Sequence, residues 1–298
     1  MSTLEEPATA ATIGRDGTPA GDPTDPAMVE RTVKASEGWI AIDWKEIFQA
    51  RDLFITLVMR DIKIRYKQTV LGLAWAVLQP LAGMIVLTLI FSNFQGVKPP
   101  DVPYPLFLLA GLIPWNFFSS AVSSAGTSLL AQQHLITKIY FPRLFVPAST
   151  VGTFLVDMAV GLGLFAVLMP LYGFSPSFNL IFLPMVILLA FTSAFGLGLV
   201  FASVTVLFRD LRFVIPFLMS LLMYASPVFY QPSILSSRIQ LLVAANPVTG
   251  IVTAFRWCIL GLPLDVQAVT ISTIVSIVVL VFGLYSFRRT ERFLADLI

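Results

Sequence analysis

The chain has 298 residues, 57% apolar and only 12% charged, with a mean hydropathy of +0.85. Ordinary soluble domains carry about 25% charged residues, so a soluble globular domain is excluded and an integral membrane protein is indicated. The net charge of +2 says little about partners, and one cysteine, Cys258, excludes an intrachain disulfide.

The N-terminal stretch "MSTLEEPATAATIGRDGTPAGDPTDPA" lacks the basic start and apolar segment of a signal peptide. Its Ala, Thr, Pro, Gly and Asp content cannot bury a core, so residues 1 to 38 are predicted to be a disordered tail. Residues 39 to 68 follow with "IAIDWKEIFQARDLFITLVMRDI", where Asp43 as N-cap and Glu46 three residues on make a capping-box pattern. An amphipathic helix along the membrane interface and a simple membrane anchor both fit this pattern. The same segment ends in a basic collar, "RDIKIRYK", with Arg60, Lys63, Arg65 and Lys67 next to an apolar run. A lipid surface, a topology signal, a partner protein or an anionic substrate would each account for these cations. On a helix, Arg60, Lys63 and Lys67 share one face, spaced three and four apart, while Arg65 points elsewhere.

Residues 69 to 298 form the membrane domain. Crossing a bilayer takes about 20 helical residues, and continuous apolar runs fit helices rather than alternating strands. Six spans are predicted, near Leu73–Phe94, Tyr104–Gly126, Phe145–Pro170, Leu180–Leu207, Phe213–Phe229 and Val266–Phe287. Arg51 and the collar precede the first span. Lys138 and Arg143 follow the second, Arg209 and Arg212 the fourth, and Arg288, Arg289 and Arg292 the last. The other side holds only Lys98, Arg238 and Arg256, so both termini are expected in the cytoplasm. On the outside, "PSILSSRIQLLVAA" and "PVTGIVTAFRWCILG" are apolar but short, and Asn246–Pro247 breaks them apart. Re-entrant or interfacial helices suit that length.

Within the spans, Ala190, Ala194, Gly198 and Ala202 recur every fourth residue, a stripe that favours close packing inside one subunit. Pro80 and Pro114 are expected to kink their helices. Asp157 lies mid-span, where a carboxylate is either functional or held by structural hydrogen bonds. Aromatic residues gather at Tyr224, Phe229 and Tyr230, with Trp115 on the second span; an interface belt or a saccharide path would explain them. The loop "LLAQQHLITKIYFPRLFVP" mixes polar residues with Leu135, Ile136, Ile139, Tyr140 and Phe141, and exposed apolar groups there point to docking.

There is no glycine-rich phosphate loop, so the chain alone is not expected to hydrolyse ATP. His134 and Cys258 are each the only residue of their type, and no metal-ligand spacing appears. A membrane-embedded glycan transferase would need a catalytic acidic motif in a loop, and none stands out. A proton-driven carrier would need inverted repeats and several intramembrane charges, and only Asp157 qualifies.

"RDIKIRYKQTVLGLAWAVLQPL", then "HLITKIYFPR", then "LFRDLRFVIPFLMSLLMYASPVFY" together resemble the membrane subunit of polysaccharide ABC exporters of the O-antigen and teichoic acid type. The resemblance runs from about Arg51 to the C-terminus and leaves out the tail. It implies an all-α, six-span, homodimeric permease with an amphipathic interface helix and a coupling helix. Two separate ATPase subunits would hold the ATP and Mg, and this chain would bind no cofactor. His134, Leu135, Ile136, Lys138, Ile139, Tyr140 and Phe141 would dock into the ATPase. Ser233–Ala244 and Val248–Leu260 would be the re-entrant helices. The substrate would be a glycan on a polyprenyl or other lipid carrier, commonly through a diphosphate, whose headgroup meets Arg60, Lys63 and Lys67 at the inner leaflet. A smaller lipid or drug exporter of the same permease class is the alternative.

Overall fold

A computed structural model describes residues 51–67, 74–91, 101–138 and 141–291, and every regular element among them is helical. The predicted tail, and the interface segment before Arg51 with its capping box, lie outside the described residues.

Helix α1 (Arg51–Lys67) is followed by α2 (Ala74–Phe91), α3 (Tyr104–Ala131), the short α4 (Gln133–Lys138) and α5 (Phe145–Leu171). A 3-10 turn at Phe178–Phe182 leads into α6 (Leu183–Leu207), and α7 (Leu211–Tyr224) comes next. A second 3-10 turn at Pro232–Ile234 precedes α8 (Ser237–Ala244), α9 (Pro247–Leu260) and α10 (Val266–Glu291).

Five segments are long and apolar enough to cross a membrane: α2, α3, α5, α6 with its leading turn, and α10. The pair α8 and α9 is bent by 98° and would make a sixth if it counts as one broken span. The bend falls at Asn246, whose side-chain oxygen accepts the Val248 N–H and starts α9, while Pro247 occupies the first turn. Helix α9 ends at Gly261, whose positive φ of 69° suits a residue without a Cβ. The predicted fifth span, Phe213–Phe229, is not one long helix. Helix α7 has 14 residues, about 21 Å at 1.5 Å per residue, and stops at Tyr224. Residues 225–231 then run as irregular backbone across the end of the bundle.

The bundle is built around α3. In its most apolar window 78% of residues are buried, against 28% or less in the other spans, so those others carry the surface that lipid would cover. The small-residue stripe does what its spacing predicts. Ala190, Ala194 and Ala202 are buried on α6, and a Cβ on Gly198 would lie 2.8 Å from that of Ala125 on α3. On another face of α6, a Cβ on Gly196 would meet the Leu280 backbone of α10 at 2.7 Å, so this crossing needs glycine. Pro80 and Pro114 both lie inside helices that continue through them.

Candidate functional site

Helix α1 docks on α5 through residues spaced four apart: Leu57, Asp61 and Arg65 share one face. Leu57 is buried, and the Phe54 and Phe145 rings meet at 5.5 Å. Ser149 Oγ on α5 donates to Asp61 Oδ2 at 3.3 Å. Deeper along α5, Arg65 Nη2 lies 2.6 Å from Asp157 Oδ2, and Tyr66 donates its hydroxyl to the other carboxylate oxygen. The Arg65 guanidinium also sits 4.1 Å over the Phe154 ring. Burial, then the hydrogen bond to Asp157 and that residue's charge, hold the Tyr66 phenol above its ordinary range, so it stays a donor. The mid-span carboxylate is thus paired, as an intramembrane charge requires. Its cation is Arg65, the collar residue expected to point away.

Two open cavities meet at Arg65. The first, about 560 Å³, is lined by Arg60, Asp61, Arg65, Thr127, Gln132 and His134 among others. The second, about 580 Å³, runs from Arg65 past Ser119, Ser120, Ser123 and Ser124 to Trp115 and Met223. Arg65, Ser124 and Phe154 line both. Ser119, Ser123 and Thr127 are spaced four apart, as are Ser120, Ser124 and Ser128, so α3 turns a hydroxyl-bearing face to this space. Thr127 and Ser128 donate to carbonyls of their own helix, which leaves their lone pairs as acceptors.

Arg60, Lys63 and Lys67 differ in their surroundings. Arg60 is fixed: its Nη2 lies 2.7 Å from both Asp61 Oδ1 and Gln132 Oε1. Lys63 and Lys67 are exposed. Between residues 134 and 141 the expectation of exposed apolar groups needs correction. Ile136 and Phe141 are buried in a cluster with Leu57, Leu129, Phe145 and Phe287, because α4 folds back against the bundle. Leu135 is half-buried against that cluster and His134 is exposed. The Lys138 side chain, Ile139 and Tyr140 lie outside the described residues.

The aromatic residues divide into two places. Trp115 packs against Phe118 and lines the second cavity. Phe229 lies edge-on to Tyr224 and Tyr230 and stacks on Phe91 of α2 at 5.6 Å. Arg256 was counted above only as an outer charge, yet it is 3% exposed and central to this second group. One charged residue inside the apolar run "TAFRWCILG" was the available signal, since such a charge must find partners.

This is a polytopic helical membrane protein in which polar groups of α1, α3 and α5 line open recesses. The ABC-2 type transporter family model matches residues 52–260, and the chain belongs to that family. It is 33% identical over 214 residues to the O-antigen export system permease protein RfbA of Myxococcus xanthus, covering 71% of this chain and 82% of that protein. The RfbA protein of Klebsiella pneumoniae is 26% identical over 248 residues, 83% of this chain and 95% of the relative. The polysialic acid transport protein KpsM of Escherichia coli is 26% identical over 241 residues, 79% of this chain and 92% of the relative.

Proposed function

We propose that this chain is the transmembrane subunit of an ATP-driven exporter that moves a lipid-linked polysaccharide, an O-antigen or related glycan, across the cytoplasmic membrane. The observation that carries this is the agreement of relatives named for two different polysaccharides, each matched over more than four-fifths of its own length. The hydroxyl-bearing face of α3 supports it, since a sugar chain needs many weak hydrogen-bonding partners rather than one tight pocket.

The chain works as a homodimer with two copies of an ABC ATPase, which hold the ATP and Mg. Both termini face the cytoplasm. There α1 runs from the interface alongside the cytoplasmic half of α5, with exposed Ile55 and Met59, spaced four apart, turned towards lipid. The carrier headgroup meets the collar: Arg60 borders the first cavity, and Lys63 and Lys67 add exposed positive charge. Helix α4 and the residues after it couple to the ATPase, with His134 on the exposed side. The bent pair α8–α9 is re-entrant from the outer face, and the glycan passes Trp115, then Tyr224, Phe229 and Tyr230.

Depleting the chain in its host tests this. Surface glycan should disappear while lipid-linked glycan accumulates inside, and the wild-type gene should restore export. Unchanged surface glycan overturns the proposal, and loss of a small exported lipid instead would assign the chain to the alternative cargo.

A further inference from the structure

Residues 225–231 carry Phe229 and Tyr230 and lie outside any helix or strand, so their carbonyls need other partners. Unpaired carbonyls are costly away from water. Here four consecutive carbonyls, those of residues 227 to 230, each accept a hydrogen bond from a side chain. Arg256 Nη1 donates to Pro227 O at 2.7 Å and to Tyr230 O at 3.4 Å, and its Nη2 donates to Val228 O at 2.5 Å. Tyr104 Oη donates to Phe229 O at 2.9 Å. Arg256 Nε reaches Phe107 O at 3.3 Å, and the guanidinium lies 3.6 Å over the Phe107 ring.

The surroundings are shaped to this clamp. A Cβ on Gly111 would stand 2.7 Å from the guanidinium, so glycine is required where α3 passes. Asn246 caps α9, the helix that presents Arg256, and its Nδ2 also donates to Ser226 Oγ at 2.7 Å. Among the described residues Arg256 forms no ion pair with a carboxylate, so carbonyl dipoles and the ring compensate its charge. A planar fork can serve several carbonyls at once, which the point charge of lysine cannot.

We propose that Arg256 and Tyr104 are positioning residues for glycan passage: they fix segment 227–230 so that Phe229 and Tyr230, braced by Phe91, present an aromatic surface of set geometry to the sugar chain. This rests on the polysaccharide-export reading above. Aromatic faces contact the apolar faces of sugar rings, and a surface fixed beforehand loses less entropy on each contact.

The test uses the full chain with its ATPase partner in lipid nanodiscs, and three variants: Tyr104→Phe, Arg256→Lys and Arg256→Gln. Tyr104→Phe removes one hydroxyl and keeps the ring, so it folds even where the Arg256 variants do not. Amide hydrogen exchange across residues 225–231 should quicken about fivefold in Tyr104→Phe, matching the loss of one hydrogen bond. The probe for function is polyprenyl diphosphate-linked glycan extracted from cells depleted of this chain. Its half-maximal concentration for stimulating ATPase should rise in Tyr104→Phe and Arg256→Lys, with basal ATPase unchanged and Arg256→Gln affected most. Unchanged exchange in Tyr104→Phe overturns the clamp. Faster exchange with an unaltered half-maximal concentration overturns the role in glycan passage. If the wild-type complex ignores the glycan altogether, the export reading itself falls and the glycan role with it, while exchange still reports the clamp.

Discussion

Arg65 and Asp157 form an ion pair of 2.6 Å that joins α1 to the middle of α5. Around it, Tyr66 donates to the second carboxylate oxygen and Phe154 lies beneath the guanidinium. Two cavities share Arg65, so the residue that pins α1 also borders both open recesses. Any movement of α1 relative to α5 has to break or carry this pair.

Asp157→Asn keeps an acceptor for Tyr66 but removes the charge opposite Arg65, whereas Asp157→Ala removes both contacts. Both variants should lower the thermal stability of the purified chain, the alanine one more, on the order of 1–3 kcal/mol for a partly buried group left without its partner. The exchanged pair Arg65→Asp with Asp157→Arg should recover part of that loss. A swap no more stable than its single variants would show that the pair does not hold α1.

The sequence made the class, five of the six spans and the small-residue stripe legible because each rests on a long repeating pattern. Helix ends were less legible. "SPVFY" after α7 is apolar, but Pro227 cannot continue the helical ladder, and side chains of Arg256 and Tyr104 take up the carbonyls that follow. Which face of α1 docks was not legible for a related reason. Spacing groups Arg60 with Lys63 and Lys67, but the face turned to α5 depends on where Asp157 lies, and no local pattern states that. Likewise Ile136 and Phe141 look exposed in a polar loop until α4 is seen folded against Leu57 and Phe145.

Topology is testable with single cysteines in a background where Cys258 is replaced. Cysteines at Ser36, Gln132 and Thr290 should resist an impermeant thiol reagent in intact cells, and one at Ser236 should react, if the basic loops face the cytoplasm as proposed. Labelling of position 132 from outside would overturn the orientation.

ATP hydrolysis should require the partner. The chain alone should show no ATPase activity, and the assembled complex should. Because Ile136 is 9% exposed, Ile136→Ala should act on folding, costing about 2–5 kcal/mol as buried Ile truncations do. His134→Ala should weaken ATPase binding or uncouple hydrolysis from export, with a smaller loss of stability than Ile136→Ala because its side chain is exposed. Normal export and normal hydrolysis in His134→Ala would remove His134 from the docking surface.

The collar can be separated into its roles by moving charge. A topology signal needs positive charge anywhere before the first span, and a lipid-surface patch tolerates Lys in place of Arg. A diphosphate is more demanding, since Arg grips phosphate oxygens with a planar fork and Lys offers a point charge. Arg60 already spends its fork on Asp61 and Gln132 at the edge of the first cavity, whereas Lys63 and Lys67 are exposed and ready to add attraction. Substituting Gln at both Arg60 and Lys63 should lower export and headgroup binding while insertion and ATPase assembly persist, and Lys67→Gln should deepen the loss. Gln132→Ala keeps all the charge but frees part of the Arg60 fork, so it should not lower headgroup binding. Moving the two charges upstream into the tail should restore topology without restoring transport. Normal export by that relocated variant would reduce the collar to a topology signal and remove Arg60, Lys63 and Lys67 from the substrate site.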